Sequence, residues 1–131
     1  MAKPWDLKKR TTQFMNDVCR LCRTLPDSRE AQEVASQLRR AARSVAANYR
    51  AAIRGRSNRE FIAKIGLVIE EADEAQFWLD HLLTSAICQS AEVKELRQEG
   101  NELVAIFTTA QKTARKKRPP QSDDAHAGSE G

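Results

Sequence analysis

The stretch "EVASQLRRAARSVAANYRAAIRGRSNRE", residues 33–60, decides the fold of this chain. Val34, Leu38, Ala41, Val45, Tyr49 and Ile53 recur at steps of three and four, which on a helix gathers them into one apolar stripe. Arg39, Arg43, Arg50 and Arg54 fall within about 60° of one another, well away from that stripe, and form a ridge roughly 22 Å long at 1.5 Å per residue. Gly55 closes the pattern, and Ser57 with Glu60 three positions on is the signature of a capping box opening the next helix. A helix apolar along one stripe needs partners to cover it.

Those partners lie on either side. Leu7, Phe14, Val18, Leu21 and Leu25 keep helical spacing and Pro26 closes the segment, which predicts a first helix over about residues 5–24. Asp27 and Glu30 resemble a second capping box, placed to start the helix that ends near Gly55. Phe61, Ile65, Val68, Ala72, Leu79, Leu82 and Ala86 mark a third helix, and a break near residues 88–90 follows. Val93, Leu96, Gly100, Leu103, Phe107, Ala110 and Ala114 alternate steps of three and four as a bundle seam, until the prolines of "RKKRPP" forbid continuation. Short connections make sequential helices antiparallel neighbours, so the expected fold is all-α, an up-down-up-down antiparallel four-helix bundle over residues 1–118. The polar segment 119–131 is expected to be a disordered tail.

Composition agrees: 131 residues suit one domain, and 40% hydrophobic with only 5% aromatic residues and little glycine or proline is helix-forming usage. No apolar run is long enough to cross a membrane and "MAKPWDLKKR" has no signal-peptide core, so a cytoplasmic location is expected. The net charge of +4 understates the folded part. Asp123, Asp124 and Glu130 lie in the tail, whereas residues 1–118 carry all 22 Lys and Arg against 15 acids, or +7. Such a balance points to polyanionic partners without deciding the fold.

Helix three carries a second apolar row, Ile62, Ile69, Phe77 and Leu83, with the Trp78 ring beside it. A helix apolar on two sides touches something beyond its own bundle, so self-association through these residues is expected; the alternative is that helix three is the most buried helix of a monomer.

The runs "QLRRAARSVAANYRAAIRGRSNREFIAKI" and "EEADEAQFWLDHLL" resemble the bacterial four-helix bundle family of 23S ribosomal RNA intervening sequences, often called the S23 family. The resemblance spans about residues 5–115 and rests on three blocks: Ala47, Asn48, Tyr49, Arg50, Ala51 and Ala52; Arg56, Ser57, Glu60 and Phe61; and Glu71, Ala72, Glu74, Trp78 and Leu79. It implies a homopentamer in a family whose biochemical role is largely unassigned. A related branch, the accessory variability determinant of diversity-generating retroelements, is a basic pentameric bundle that partners a reverse transcriptase and contacts nucleic acid. A reverse transcriptase partner for this chain is an analogy of fold.

Two basic elements are candidate contacts to RNA or DNA. One is the ridge Arg39, Arg43, Arg50 and Arg54; its competing reading is pairing with Glu70, Glu71, Asp73, Glu74 and Asp80 of helix three. The other is "KTARKKR", residues 112–118, in which Lys112, Arg115, Lys116, Lys117 and Arg118 exceed what a helix C-terminus needs to offset its dipole. With no aromatics interleaved for base stacking, any nucleic-acid contact is expected at backbone, shape or ends. Asn48, at the border of the apolar stripe, is expected to make a buried amide hydrogen bond to a neighbouring helix or subunit.

Cys19 and Cys22 form a C-x-x-C in mid-helix with no second pair and no histidine nearby, so neither metal nor redox chemistry is expected, and Cys22 reads as a small buried hydrophobe. Cys88 has no partner by sequence. His81 and His126 belong to no nucleophile, base and orienter set, so no catalytic residues and no cofactor are expected. Two functions remain: a non-enzymatic oligomer binding nucleic-acid backbone, or a protein-interaction scaffold whose charges serve assembly.

Overall fold

The computed structural model describes residues 6–117, and in them the chain forms four helices and no strand: α1 (Leu7–Arg23), α2 (Arg29–Ile53), α3 (Asn58–Thr84) and α4 (Ala91–Lys116). The expected tail 119–131 lies outside the described residues. None of the helices is long and apolar enough to cross a membrane.

Local chemistry sets the boundaries. Thr24 ends α1, its hydroxyl donating to Leu21 O at 2.7 Å. The cap of α2 is Ser28 rather than Asp27: its Oγ accepts from Ala31 N at 3.2 Å, satisfying a donor that has no partner inside the helix. At α3 the Ser57 and Glu60 box forms, with Ser57 Oγ accepting from Glu60 N at 3.1 Å, although Glu60 Oε1 reaches one residue further back, to Arg56 N at 2.7 Å. α3 stops at Thr84, because Ala86 turns left-handed at φ 62° and its N–H bonds back to Leu83 O. Ala86, read from sequence as part of the α3 stripe, therefore lies in the link and is exposed.

The stripes otherwise meet as expected. Phe14, Val18 and Leu21 of α1, Leu38 and Val45 of α2, Ile65, Val68, Leu79 and Leu82 of α3 and Val93, Leu103 and Phe107 of α4 are almost wholly removed from water. Each contributes about 1.5–3 kcal/mol through burial. Ile53 departs from the pattern at 45% exposed. Three successive steps of four from Ala41 carry the stripe about 120° around the helix, and Ala52 takes the inward position instead.

Hydrogen bonds fix which helix ends meet. Asn58 Nδ2 at the start of α3 donates to Ala114 O near the end of α4 at 2.6 Å, while Gln76 Nε2 late in α3 donates to Arg97 O early in α4 at 2.8 Å. Cys22 Sγ near the end of α1 donates to Ala35 O early in α2 at 3.6 Å. Gly100 leaves room for the Gln76 amide against α4, since a Cβ there would overlap it. α1 meets α4 more lightly, and Arg10 clamps that seam: Nε and Nη2 grip the Glu99 carboxylate at 2.9 and 2.7 Å, and Nη2 also reaches Glu102 at 3.0 Å.

Candidate nucleic-acid interface

Of the ridge, Arg43, Arg50 and Arg54 are exposed and Arg39 is half-buried. The ridge lies on the flank of α2 that faces α1. There the positive charges of Arg39 and Arg43 act on the Cys22 thiol, yet its burial dominates and pushes it up to about 11. Two acids of α3, Glu71 and Glu74, face the other flank, where they line a cleft with Gln37, Ser44 and Arg40, an arginine outside the ridge. Asp80 instead lies 3.6 Å from Arg97 of α4. Among the described residues no ridge arginine forms an ion pair.

The second basic element sits at the end of the molecule where α2 and α4 finish and α3 begins. Lys112, Arg115, Lys116 and Lys117 are exposed there; Arg118 lies outside the described residues. The contacts of Asn58 with Ala114 and of Tyr49 with Phe107, whose ring centroids are 5.5 Å apart, place Arg50 and Arg54 at that same end. Arg56 and Arg59, exposed at the α2–α3 corner, join them. Sequence reading missed these two as site residues, because they belong to neither helical ridge nor charge run and only the fold brings their corner to the end where α4 finishes.

Cutting each helix at its midpoint shows how uneven the charge is. Residues 6–14, 42–70 and 104–117, which make up this end, hold thirteen Lys and Arg against three acids. Residues 15–41 and 71–103, the other end, hold seven against twelve. Separation of this size focuses a positive potential at one end, the arrangement that attracts a polyanion and raises its encounter rate.

The remaining candidates are placed as follows. Asn48 is half-buried and its Nδ2 donates to Ser44 O in its own helix at 3.0 Å, where the expected partner was a neighbouring helix or subunit; a side chain at the edge of the stripe reaches the carbonyl one turn back more readily than α3. Ile62, Ile69 and Leu83 are half-buried, with Ile69 and Leu83 packed against the core, and Ile62 O accepts from Gln111 of α4 at 3.2 Å, so much of the second row is the flank of α3 turned to α4. Trp78 packs against the core from the α2 side, and Phe77 points outward, 61% exposed. Leu67 on the same helix is 41% exposed and formed no part of the sequence-derived row. Cys22 is buried, Cys19 and Cys88 half-buried, and all three are free thiols.

Comparison with known proteins bears on the fold and the family. A crystal structure of a protein of unknown function from the S23 ribosomal protein family of Bacteroides thetaiotaomicron superposes with a TM-score of 0.74 at 22% identity, covering 80% of this chain and 97% of that one. That likeness is one of fold. The curated proteins contain no match. The model of the family described as 23S rRNA-intervening sequence protein matches residues 4–109, most of the chain and all of α1, α2 and α3. The chain belongs to the 23S rRNA-intervening sequence protein family.

Proposed function

We propose that this protein is a non-enzymatic, cytoplasmic up-down-up-down bundle that self-associates, as a pentamer by family resemblance, and binds the backbone of structured RNA or DNA as an accessory factor. The observation that carries the reading is that Arg39, Arg43, Arg50 and Arg54 pair with no carboxylate among the described residues, while Glu71 and Glu74 of α3 line a cleft with Arg40, outside the ridge. Arginines with a carboxylate partner would have little potential left to offer; these present a row of guanidinium groups running toward a basic end. Phosphate contacts of this kind position a nucleic acid without reading bases.

Replacing Arg39, Arg43, Arg50 and Arg54 by Gln tests the assignment. The variant should retain its helicity and lose salt-sensitive binding of a labelled structured RNA; affinity equal to the parent would overturn the ridge. A protein-interaction scaffold, with a reverse transcriptase as one candidate partner by analogy, is the second reading, and Phe77 favours it. An exposed phenyl set edge-on to Trp78 at 4.9 Å offers apolar area suited to a protein more than to phosphates.

A further inference from the structure

At the basic end, the first turn of α3 and the last turns of α4 leave a cleft of about 420 Å³ between them. Phe61 of α3 faces Ala110, Thr113 and Ala114 of α4 across it, with Asn58 and Lys117 completing the lining. Asn58 Nδ2, donating to Ala114 O at 2.6 Å, ties the two helices together at this point. Phe61 packs partly against the core and is left half-buried, with only small side chains opposite it on α4. Among the described residues the lining contains no carboxylate, whereas three other clefts of the bundle each include two or more. The surroundings are those of the half that holds thirteen cations against three acids. An aromatic, acid-free cleft set among cations suits a ligand that carries negative charge beside a flat apolar face, and would repel none of its phosphates.

We propose that this cleft receives one unpaired nucleobase of the bound nucleic acid, stacked on Phe61, while Lys117 meets a flanking phosphate. The inference rests on the nucleic-acid reading and narrows its substrate class to strands with a base outside the duplex, at a loop, a bulge or a single-stranded end. A fully paired duplex keeps its base faces stacked on one another and can engage the cations alone. Charge complementarity selects the occupant: a basic peptide finds no acid in the lining, and a nucleotide brings the apolar face and the phosphate together. One ring provides one stacking platform, and every base has a π-face, so the cleft selects for structure and tolerates any sequence. Sequence spacing hides this pairing, because Phe61 belongs to the apolar stripe of α3 and the cation run of α4 holds no aromatic; packing of the two helix ends puts Phe61 and Lys117 in one cleft.

The test uses the full chain and two labelled RNA hairpins of equal length and phosphate number, one ending in a short unpaired adenine overhang and the other in the same overhang made abasic. The parent should bind the adenine hairpin at least about fivefold more tightly, the lower end of what stacking one base on an aromatic ring provides. Phe61→Leu keeps apolar bulk and removes the ring; Ala110→Leu keeps the ring and fills the cleft. In each, circular dichroism checks the fold, and the two hairpins should bind within about twofold of each other. Affinity for the abasic hairpin and its dependence on salt should stay at the parent's values, since neither substitution removes a cation. Equal affinity of the parent for the two hairpins, or the full preference retained in either folded variant, overturns the proposal and leaves backbone binding standing. Absence of binding to both hairpins at low salt overturns it together with the nucleic-acid reading.

Discussion

At the scale of single residues, Cys22 and Arg10 show two ways a side chain acquires a role. Cys22 is 3% exposed and its thiol is pushed up to about 11 from 9.0, chiefly because burial disfavours the thiolate. The unfolded chain releases this proton from about pH 9, whereas the folded chain holds it. Below pH 9 both states carry the proton and the group is neutral to stability; above it the folded state binds more protons and loses ground as pH rises. Between pH 9 and 11 the wild type should therefore lose up to about 1.4 kcal/mol of stability per pH unit relative to Cys22→Ala, which lacks the group. Urea unfolding of both proteins across that range measures it; parallel stability curves would show that the thiol does not titrate with folding. The burial of Cys22 was legible in the sequence, since it lies beside the α1 stripe. The Arg10 clamp was not, because Glu99 and Glu102 stand 89 and 92 positions away and only the fold makes them neighbours. The bidentate hydrogen bond to Glu99 holds the Arg10 guanidinium more firmly protonated than usual, and hydrogen bonds from Gln98 and then Arg10 hold the Glu102 carboxyl below the ordinary carboxylate range.

At the scale of helices, the interiors of all four were readable from apolar spacing, and the errors gathered at the ends. Asp27 and Ser28 both suit an N-cap, and the choice between them depends on whether the backbone enters the helix one residue earlier or later, which spacing alone does not decide. Ala86 kept the α3 period but sits beyond the end of the helix, in a left-handed conformation that glycine adopts without cost. A Cβ at φ 62° costs roughly 1–2 kcal/mol, while glycine gives part of that back through the greater freedom of the unfolded chain. Ala86→Gly should therefore stabilise the protein by about 0.5–1 kcal/mol, and Ala86→Val should destabilise it by at least as much, both read from urea midpoints. A loss of stability in the glycine variant would mean that the link between α3 and α4 does not hold this left-handed turn in solution.

At the scale of the whole molecule, the feature least visible in the sequence is the separation of charge between the two ends. Net charge and the two basic elements were legible, but the sequence presents cations in chain order, and the fold reorders them by bringing the end of α2, the start of α3 and the end of α4 to one place. If polyanion binding follows that arrangement, equal changes in net charge should have unequal effects. Replacing Lys112, Arg115, Lys116 and Lys117 by Gln removes four cations from the basic end; replacing Arg20, Arg23, Arg29 and Lys94 by Gln removes four from the acidic end. Both proteins have the same formal charge and comparable mean hydropathy. For RNA binding, the first set should lower the slope of log affinity against log salt by roughly 0.7–0.9 for each phosphate left unneutralised, and the second should leave the slope near that of the parent. Equal slopes for the two variants would mean that the protein responds to a polyanion as a uniformly charged body, and the basic end would lose its claim to be the interface. Unequal slopes would tie binding to a surface that exists only because sequence-distant helix ends pack together.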